Sequence, residues 1–273
     1  MLKECLENVR KNSPLIHNIT NYVTANDCAN ILLACGASPI MSDEADEVAE
    51  VTSICDGLNI NIGTLNTRTI KAMFIAGTKA ETLNHALLLD PVGLGVSKLR
   101  NHTVLELIKN LHFDVIRGNI SEIKTLATGT GSSRGVDANI KDNITEENLI
   151  SSINFAKNLA NKLNTIIAIS SAIDIVADKD TAYVIYNGHK LMKDITGSGC
   201  MLSALTTAYI TANKQNKLTA VLTAFCSMGI AGEIAANRMN TLDGNSTFRN
   251  YLIDAIFNMT GEQLEKMAKY IQK

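Results

Sequence analysis

The sequence predicts an α/β layered fold with a largely parallel sheet. Three observations point to it. Short apolar runs alternate with helix-length stretches through the first two thirds of the chain, the pattern of strands joined by helical crossovers. Most of these runs end on glycine or a polar residue, and a purely helical tail closes the chain. No linker composition and no internal repeat interrupts the 273 residues, so one domain over 1–273 is expected.

Taken in order, residues 2–11 read as a helix. The stretch 13–23 (SPLIHNITNYV) is mixed, with Asn18, Thr20 and Asn21 as loop or strand-end polar groups. Residues 25–35 form a small-residue helix stopped by Gly36. SPIM, 38–41, is a short strand, and Ser42, Asp43 and Glu44 open an acidic helix over 45–55, where early acids suit the helix dipole. LNINI, 58–62, is a strand ending at Gly63 and Thr64; 67–79 is a helix; 86–89 is a buried strand closed by Asp90, Pro91, Val92 and Gly93. The pattern repeats with a helix over 104–110, a strand from Val115 ending on Arg117, Gly118 and Asn119, and a helix from Ser121. The glycine-bearing segment 129–135 reads as a mobile surface loop. A helix over 146–163 leads to the strand 165–169, which closes on Ser170 and Ser171. Residues 173–177 and 181–186 pair as an antiparallel hairpin, with Asn187-Gly188 as the next turn. After the loop at 194–200 only helices are expected: 201–212, about 217–239, and two more.

Composition narrows the function classes. With 46% hydrophobic and 19% charged residues, a sizeable core is available. A formal net charge of −2 leaves no footprint for nucleic acid or an anionic membrane. No apolar run reaches membrane-spanning length, and MLKECLENVRK reads as an amphipathic helix, not a signal peptide. Cys5, Cys28, Cys35, Cys55, Cys200 and Cys226 contain no CxxC pair and read as reduced thiols of a cytoplasmic protein. Only Cys200 has a special context.

That context is DITGSGC, 194–200, followed at once by an apolar helix. Gly197 and Gly199 lack a Cβ, so backbone N–H groups can close on an anion, and the helix N-terminus adds unpaired donors and the positive end of its dipole. A turn that merely lets a buried helix begin explains the same residues equally well. The rest of the chain weighs the two. In open α/β sheets ligands sit outside the carboxyl ends of the strands, and Gly63-Thr64, Asp90, Arg117-Gly118-Asn119 with Glu122, and Ser170 fall there. Asp90 and Glu122 suit a hydrated Mg²⁺, and Arg117 suits phosphate oxygens. Singly, Asn119 and Glu122 could be a cap, Arg117 a surface ion pair and Asp90 a turn cap. Together, on successive strand ends, they favour a phosphoryl-transfer site. No histidine stands in a motif with Cys200, which disfavours a Cys–His hydrolase, and neither GxxxxGK[ST] nor an early GxGxxG is present.

The motifs HNITNYV, GASPIMS, NIGTL, DPVG, IRGNISEI and DITGSGC, in this order over residues 15–248, resemble the hydroxyethylthiazole kinase family of the ribokinase-like superfamily. The resemblance implies a central, mostly parallel sheet of about nine strands flanked by helices on both faces. It implies ATP- and Mg²⁺-dependent phosphorylation of the alcohol of 4-methyl-5-(2-hydroxyethyl)thiazole, a thiamine-salvage step, in a homotrimer with interfacial active sites. Carried over by motif, Met41, Gly197 and Asn21 would contact the thiazole, and Arg117 and Ser170 the ATP, with Asn119 in support. Asp90 and Glu122 match the metal and phosphate acids, and Gly197 to Gly199 an anion hole. Cys200 stands where many ribokinase-like enzymes carry a base Asp; a thiol is the weaker base, so positioning and electrostatics would carry most of the catalysis. Ser170-Ser171 replaces a common Thr-Gly, and Gly244 to Phe248 replaces a Gly-Pro-Gly-Ser-Phe-like turn. The competing readings are a kinase for hydroxymethylpyrimidine or pyridoxal, a catalytically weak binding protein, and a Cys-nucleophile hydrolase.

Overall fold

A computed structural model describes residues 1–129 and 143–273. Apart from Gly129, the loop expected over 129–135 lies outside the described residues. In chain order the first half runs α1 (Leu2–Asn12), β1 (Leu15–Ile19), α2 (Ala25–Cys35), β2 (Ser38–Met41), α3 (Val48–Ile54), β3 (Gly57–Asn61), α4 (Thr67–Thr82), β4 (Ala86–Asp90), α5 (Lys98–Asn110), β5 (Val115–Asn119) and α6 (Ile120–Thr128). The second half runs α7 (Leu149–Leu163), β6 (Ile166–Ser170), β7 (Asp174–Ala177), β8 (Ala182–Ile185), α8 (Ser198–Ala212), α9 (Lys217–Arg238), α10 (Asn245–Asn258), α11 (Gly261–Met267) and β9 (Tyr270–Gln272).

Among the described residues nine strands form one sheet in the order β2-β1-β3-β4-β5-β6-β7-β8-β9. From β2 to β6 every pair is parallel; β7, β8 and β9 continue antiparallel. Alternate residues of each strand point to opposite faces. Leu58, Ile60, Leu87 and Leu89 join a core under α4, α5 and α7. Ala86, Leu88 and Val115 join the opposite core with α1, α2, α8 and α9. The expected α/β fold with helices on both faces is therefore the observed one.

Several details differ from the sequence reading. A ninth strand follows the helical tail: Tyr270–Gln272 pairs antiparallel with β8, and Tyr270 meets Tyr183 edge-on at 5.8 Å between ring centroids. A three-residue strand is too short to show a period of two. The mixed segment 13–23 contains β1, whose neighbours on both sides are parallel strands. The helix expected over 45–55 is shorter, Val48–Ile54, and the one expected over 104–110 begins at Lys98, where Ser97 caps it by accepting from the Arg100 amide. A stretch of spanning length also exists: 214–238 is long and apolar enough to cross a membrane, but 83% of its apolar window is buried within the fold. It is a core helix. All six cysteines are buried and unpaired.

Candidate active site

Strand register brings the polar rim together. In β3, Asn61 shares a face with Gly57 and Asn59; in β4, Asp90 shares that same face of the sheet, and the register sets Asn61 directly opposite Asp90. One strand further, Arg117 of β5 points the same way, and Asn119 stands opposite Ser170 of β6. All are carboxyl-end residues on the face that α8 covers.

Helix α8 begins among them. It starts at Ser198, three residues before the expected position, with Gly197 as N-cap at φ 86°. Gly197 is needed for more than its φ: an added Cβ would stand 2.6 Å from the Thr24 methyl. At Gly199 a Cβ would stand 2.7 Å from Nη1 of Arg117, so the missing side chain lets the guanidinium lie against the helix start. The first intrahelical bond runs from Met201 N to Gly197 O, leaving the preceding amides of the loop as unpaired helix donors.

A directed hydrogen-bond network ties this helix to the rim. Thr24 donates to Asn21 Oδ1 from both its amide, at 3.1 Å, and its hydroxyl, at 3.0 Å. That fixes the Asn21 amide group as donor to Asn61 Oδ1, at 3.1 Å, and to Cys200 Sγ, at 3.2 Å. Asn61 in turn donates to Cys200 Sγ at 3.3 Å and to Asp90 Oδ2 at 2.9 Å. Ser203, one turn into α8, donates to the same Asp90 oxygen at 2.7 Å, and Arg117 Nη1 lies 3.7 Å from it. Asp90 Oδ1 and Arg117 Nε are buried and have no partner among the described residues. A buried acceptor and a buried donor left open on two neighbouring residues are unusual, and they suit a ligand that brings both cation and anion.

The sequence-derived candidates fall as follows. Asp90, Arg117, Ser170, Asn21, Gly197, Gly199 and Cys200 are brought together. Ser170 accepts from Arg117 Nη2 at 2.6 Å, so Arg117 is a buried residue held between Asp90 and Ser170, not a surface ion pair. Asn119 and Glu122 do form the cap: the Asn119 side chain accepts from Glu122 N, and Glu122 Oε2 accepts from Asn119 N at 2.8 Å. Glu122 Oε1 also accepts from Gly93 N at 2.7 Å, so the capping carboxylate reaches the loop after Asp90. Met41 stands apart, at the end of edge strand β2, with its side chain exposed. Asn61, Thr24 and Ser203 were missed by the sequence reading. Asn61 was readable only as a polar member of an alternating strand, and Ser203 lies inside an otherwise apolar helix.

Burial controls the acid–base properties. It pushes Asp90 up, against the pull of Arg117, Ser203 and Asn61. Burial, and then the charge of Asp90, push Glu122 up to about 7. The same two causes push the Cys200 thiol up, against the donors from Asn21 and Asn61. Such a thiol is a poor base at neutral pH. Among the described residues no three His, Cys, Asp or Glu side chains form a protein-only metal cage. Two buried carboxylates, one with an open oxygen, fit Mg²⁺, which keeps several waters and takes its remaining ligands from phosphates.

Comparisons with known proteins place the chain in a family. Residues 6–262 match the model described as "HK: Hydroxyethylthiazole kinase family". A hydroxyethylthiazole kinase of Clostridium acetobutylicum is 58% identical over 270 residues, 99% of either chain. One of Methanobrevibacter smithii is 46% identical, covering 96% of this chain and 93% of its own. The solved hydroxyethylthiazole kinase of Pyrococcus horikoshii superposes with a TM-score of 0.88 at 33% identity, over 100% of this chain and 98% of its own. A Staphylococcus aureus pyridoxal kinase, at TM-score 0.62 and 16% identity over 95% and 97% of the two chains, shares the ribokinase-like fold alone.

Proposed function

The chain belongs to the hydroxyethylthiazole kinase family, and we propose from that membership how its site transfers phosphate from ATP to the hydroxyl of 4-methyl-5-(2-hydroxyethyl)thiazole, a thiamine-salvage step. The observation that carries the reading is the meeting of Asp90, Arg117 and the Gly197–Cys200 helix start around two open buried atoms. Arg117, held by Ser170, takes phosphate oxygens of the nucleotide, with Asn119 in support. The amides of Gly197 to Gly199 meet charge on the transferring phosphoryl group, in a setting where fixed donors need no reorganisation. Asp90 and Glu122 would hold a hydrated Mg²⁺, which when bound neutralises phosphate charge. Asn21 and Gly197 would orient the thiazole beside Cys200, and Met41, exposed on the sheet edge, would reach it from a neighbouring subunit of a homotrimer.

Cys200 is set as an acceptor of two amide N–H groups and its thiol is pushed up, so it lines and shapes the site more than it removes the alcohol proton. Positioning and electrostatics carry the rate. The reduced thiols fit a cytoplasmic location. The pyrimidine or pyridoxal alternative gains no support from a likeness that shows only the fold.

The test is turnover of Mg·ATP and the thiazole alcohol, followed as ADP and phosphorylated thiazole, with Asp90→Ala and Cys200→Asp alongside. Wild type is expected to form product, Asp90→Ala to lose at least about 100-fold in kcat, and Cys200→Asp to remain active. Product from hydroxymethylpyrimidine or pyridoxal in place of the thiazole would overturn the substrate assignment.

A further inference from the structure

Arg100 lies outside the cluster described above, on the first turn of α5, and among the described residues its guanidinium donates to backbone carbonyls alone. Nη1 donates to Ile62 O and to Val92 O, both at 2.6 Å, and Nη2 donates to Gly63 O at 2.8 Å. These carbonyls belong to two different loops. Ile62 and Gly63 follow Asn61 at the end of β3; Val92 follows Asp90 at the end of β4. The two loops also touch each other, through Ile62 N donating to Asp90 O at 3.2 Å, and Val92 N folds back on Asp90 O at 2.9 Å. The guanidinium thus completes a closed ring of backbone hydrogen bonds around the base of Asp90.

The surroundings are built to hold it. Gly93, at φ 72°, brings its backbone against the guanidinium, where an added Cβ would stand 3.4 Å from Arg100 Nε. The next residues of the loop are tied to α5 by Gly95 N donating to Asn101 Oδ1 at 2.8 Å. Gly93 N itself donates to Glu122. The fork therefore sets three things at once: the Asn61 end of β3, the Asp90 end of β4 and the Gly93 amide on Glu122. A Lys ammonium cannot span three carbonyls in one plane as the fork does.

We infer that Arg100 is a positioning residue for phosphoryl transfer, strapping the β3 and β4 end loops so that Asn61, Asp90 and Glu122 keep their mutual geometry. The inference rests on the kinase reading above. Arg100 touches no reacting atom; it acts through Ile62, Gly63 and Val92.

Arg100→Lys and Arg100→Ala test it with two readouts, kinetics and amide hydrogen exchange. Exchange in peptides covering 61–65 and 90–97 is expected to rise by about tenfold or more, with the β6 core unchanged, because only the strap is lost. kcat is expected to fall by about 10- to 100-fold, while KM for the thiazole alcohol stays within about twofold of wild type. Looser loops with kcat preserved would overturn the inference, and so would unchanged exchange, or a KM increase at constant kcat. If Arg100→Ala fails to fold, Arg100→Lys, which keeps the charge, decides. Exchange tests the strap whatever the substrate, whereas a wild type without turnover of the thiazole alcohol would sink the kinase reading instead.

Discussion

Glu122 shows how one side chain serves two structural claims at once. Its oxygens accept from Gly93 N and Asn119 N, so it caps α6 and anchors the loop after Asp90. Both bonds favour the ionised form, yet burial and then Asp90 outweigh them and push the carboxyl up to about 7. The sign of the linkage follows. Unfolded, a glutamate ionises near 4.3; between there and about 7 the native state holds a proton that the unfolded state has released. Stability therefore falls as pH rises through that window, at up to about 1.4 kcal/mol per pH unit for one such group. Asp174, whose Oδ1 accepts from Ser171 N, is also pushed to about 7 by burial and adds the same sign. Burial holds His17 and His85 below the usual imidazole range, which acts with the opposite sign. The wild-type urea midpoint of the metal-free protein is therefore expected to decline from pH 5 to pH 7.5 relative to that of Glu122→Gln. A wild-type midpoint that stays level with or climbs relative to that of Glu122→Gln over the window would show that Glu122 ionises early in the native state.

At the scale of elements, the loop entering α8 and the turn entering α10 look alike in sequence, since both begin with glycine, but the structure separates them. Gly197 sits at φ 86° with the Thr24 methyl 2.6 Å from where a Cβ would stand; Gly244 sits at an ordinary φ of −115° with nothing within 4 Å of that position. Gly197→Ala is therefore expected to strain the helix start, costing about 1–2 kcal/mol before any clash with Thr24, and to lower kcat/KM by about tenfold or more. Gly244→Ala is expected to leave both melting temperature and kinetics at wild-type values. Thermal melts and steady-state rates of the pair check this, and equal effects at the two sites would refute the distinction. The same contrast explains what was legible. Strands such as ALLLD could be read because a buried parallel strand is a continuous apolar run that stops at a polar residue. Asp90, Arg117 and Ser170 could be read as well, because each ends or follows such a run, and Cys200 because it closes a glycine loop directly before an apolar helix. Asn61 could not, because in LNINI it occupies the polar phase of an alternation that looks like a half-exposed strand, whereas α8 buries it. Arg100 was hidden differently: its partners are backbone carbonyls of two loops, and no residue pattern encodes a contact to backbone.

The whole molecule presents its polar cluster on one side of a sheet whose far edge is β9 and whose near edge is β2. Apolar side chains lie open near the site and on the edge strand: Tyr22 is 80% exposed, Val23 60%, and Met41, at the end of β2, 38%. Asn21 and Thr24, immediately flanking the first two, are buried in the cluster at Cys200. Exposed apolar side chains beside the site and on the edge strand are the kind of surface a subunit contact would use. If a neighbour supplies Met41, as proposed above, then a site is built from two chains and lesions in different chains should complement. Met41→Asp spoils the contribution a chain makes to its neighbour, and Asp90→Ala spoils the site it builds itself. Each variant alone is expected to be nearly inactive at thiazole concentrations below KM. After unfolding and refolding together in equal amounts, about a quarter of the sites receive two intact halves, so activity should recover to about a quarter of the wild-type rate. Sites contained within single chains would give only the average of two inactive proteins, and sedimentation of the refolded mixture would show whether three-chain species had formed.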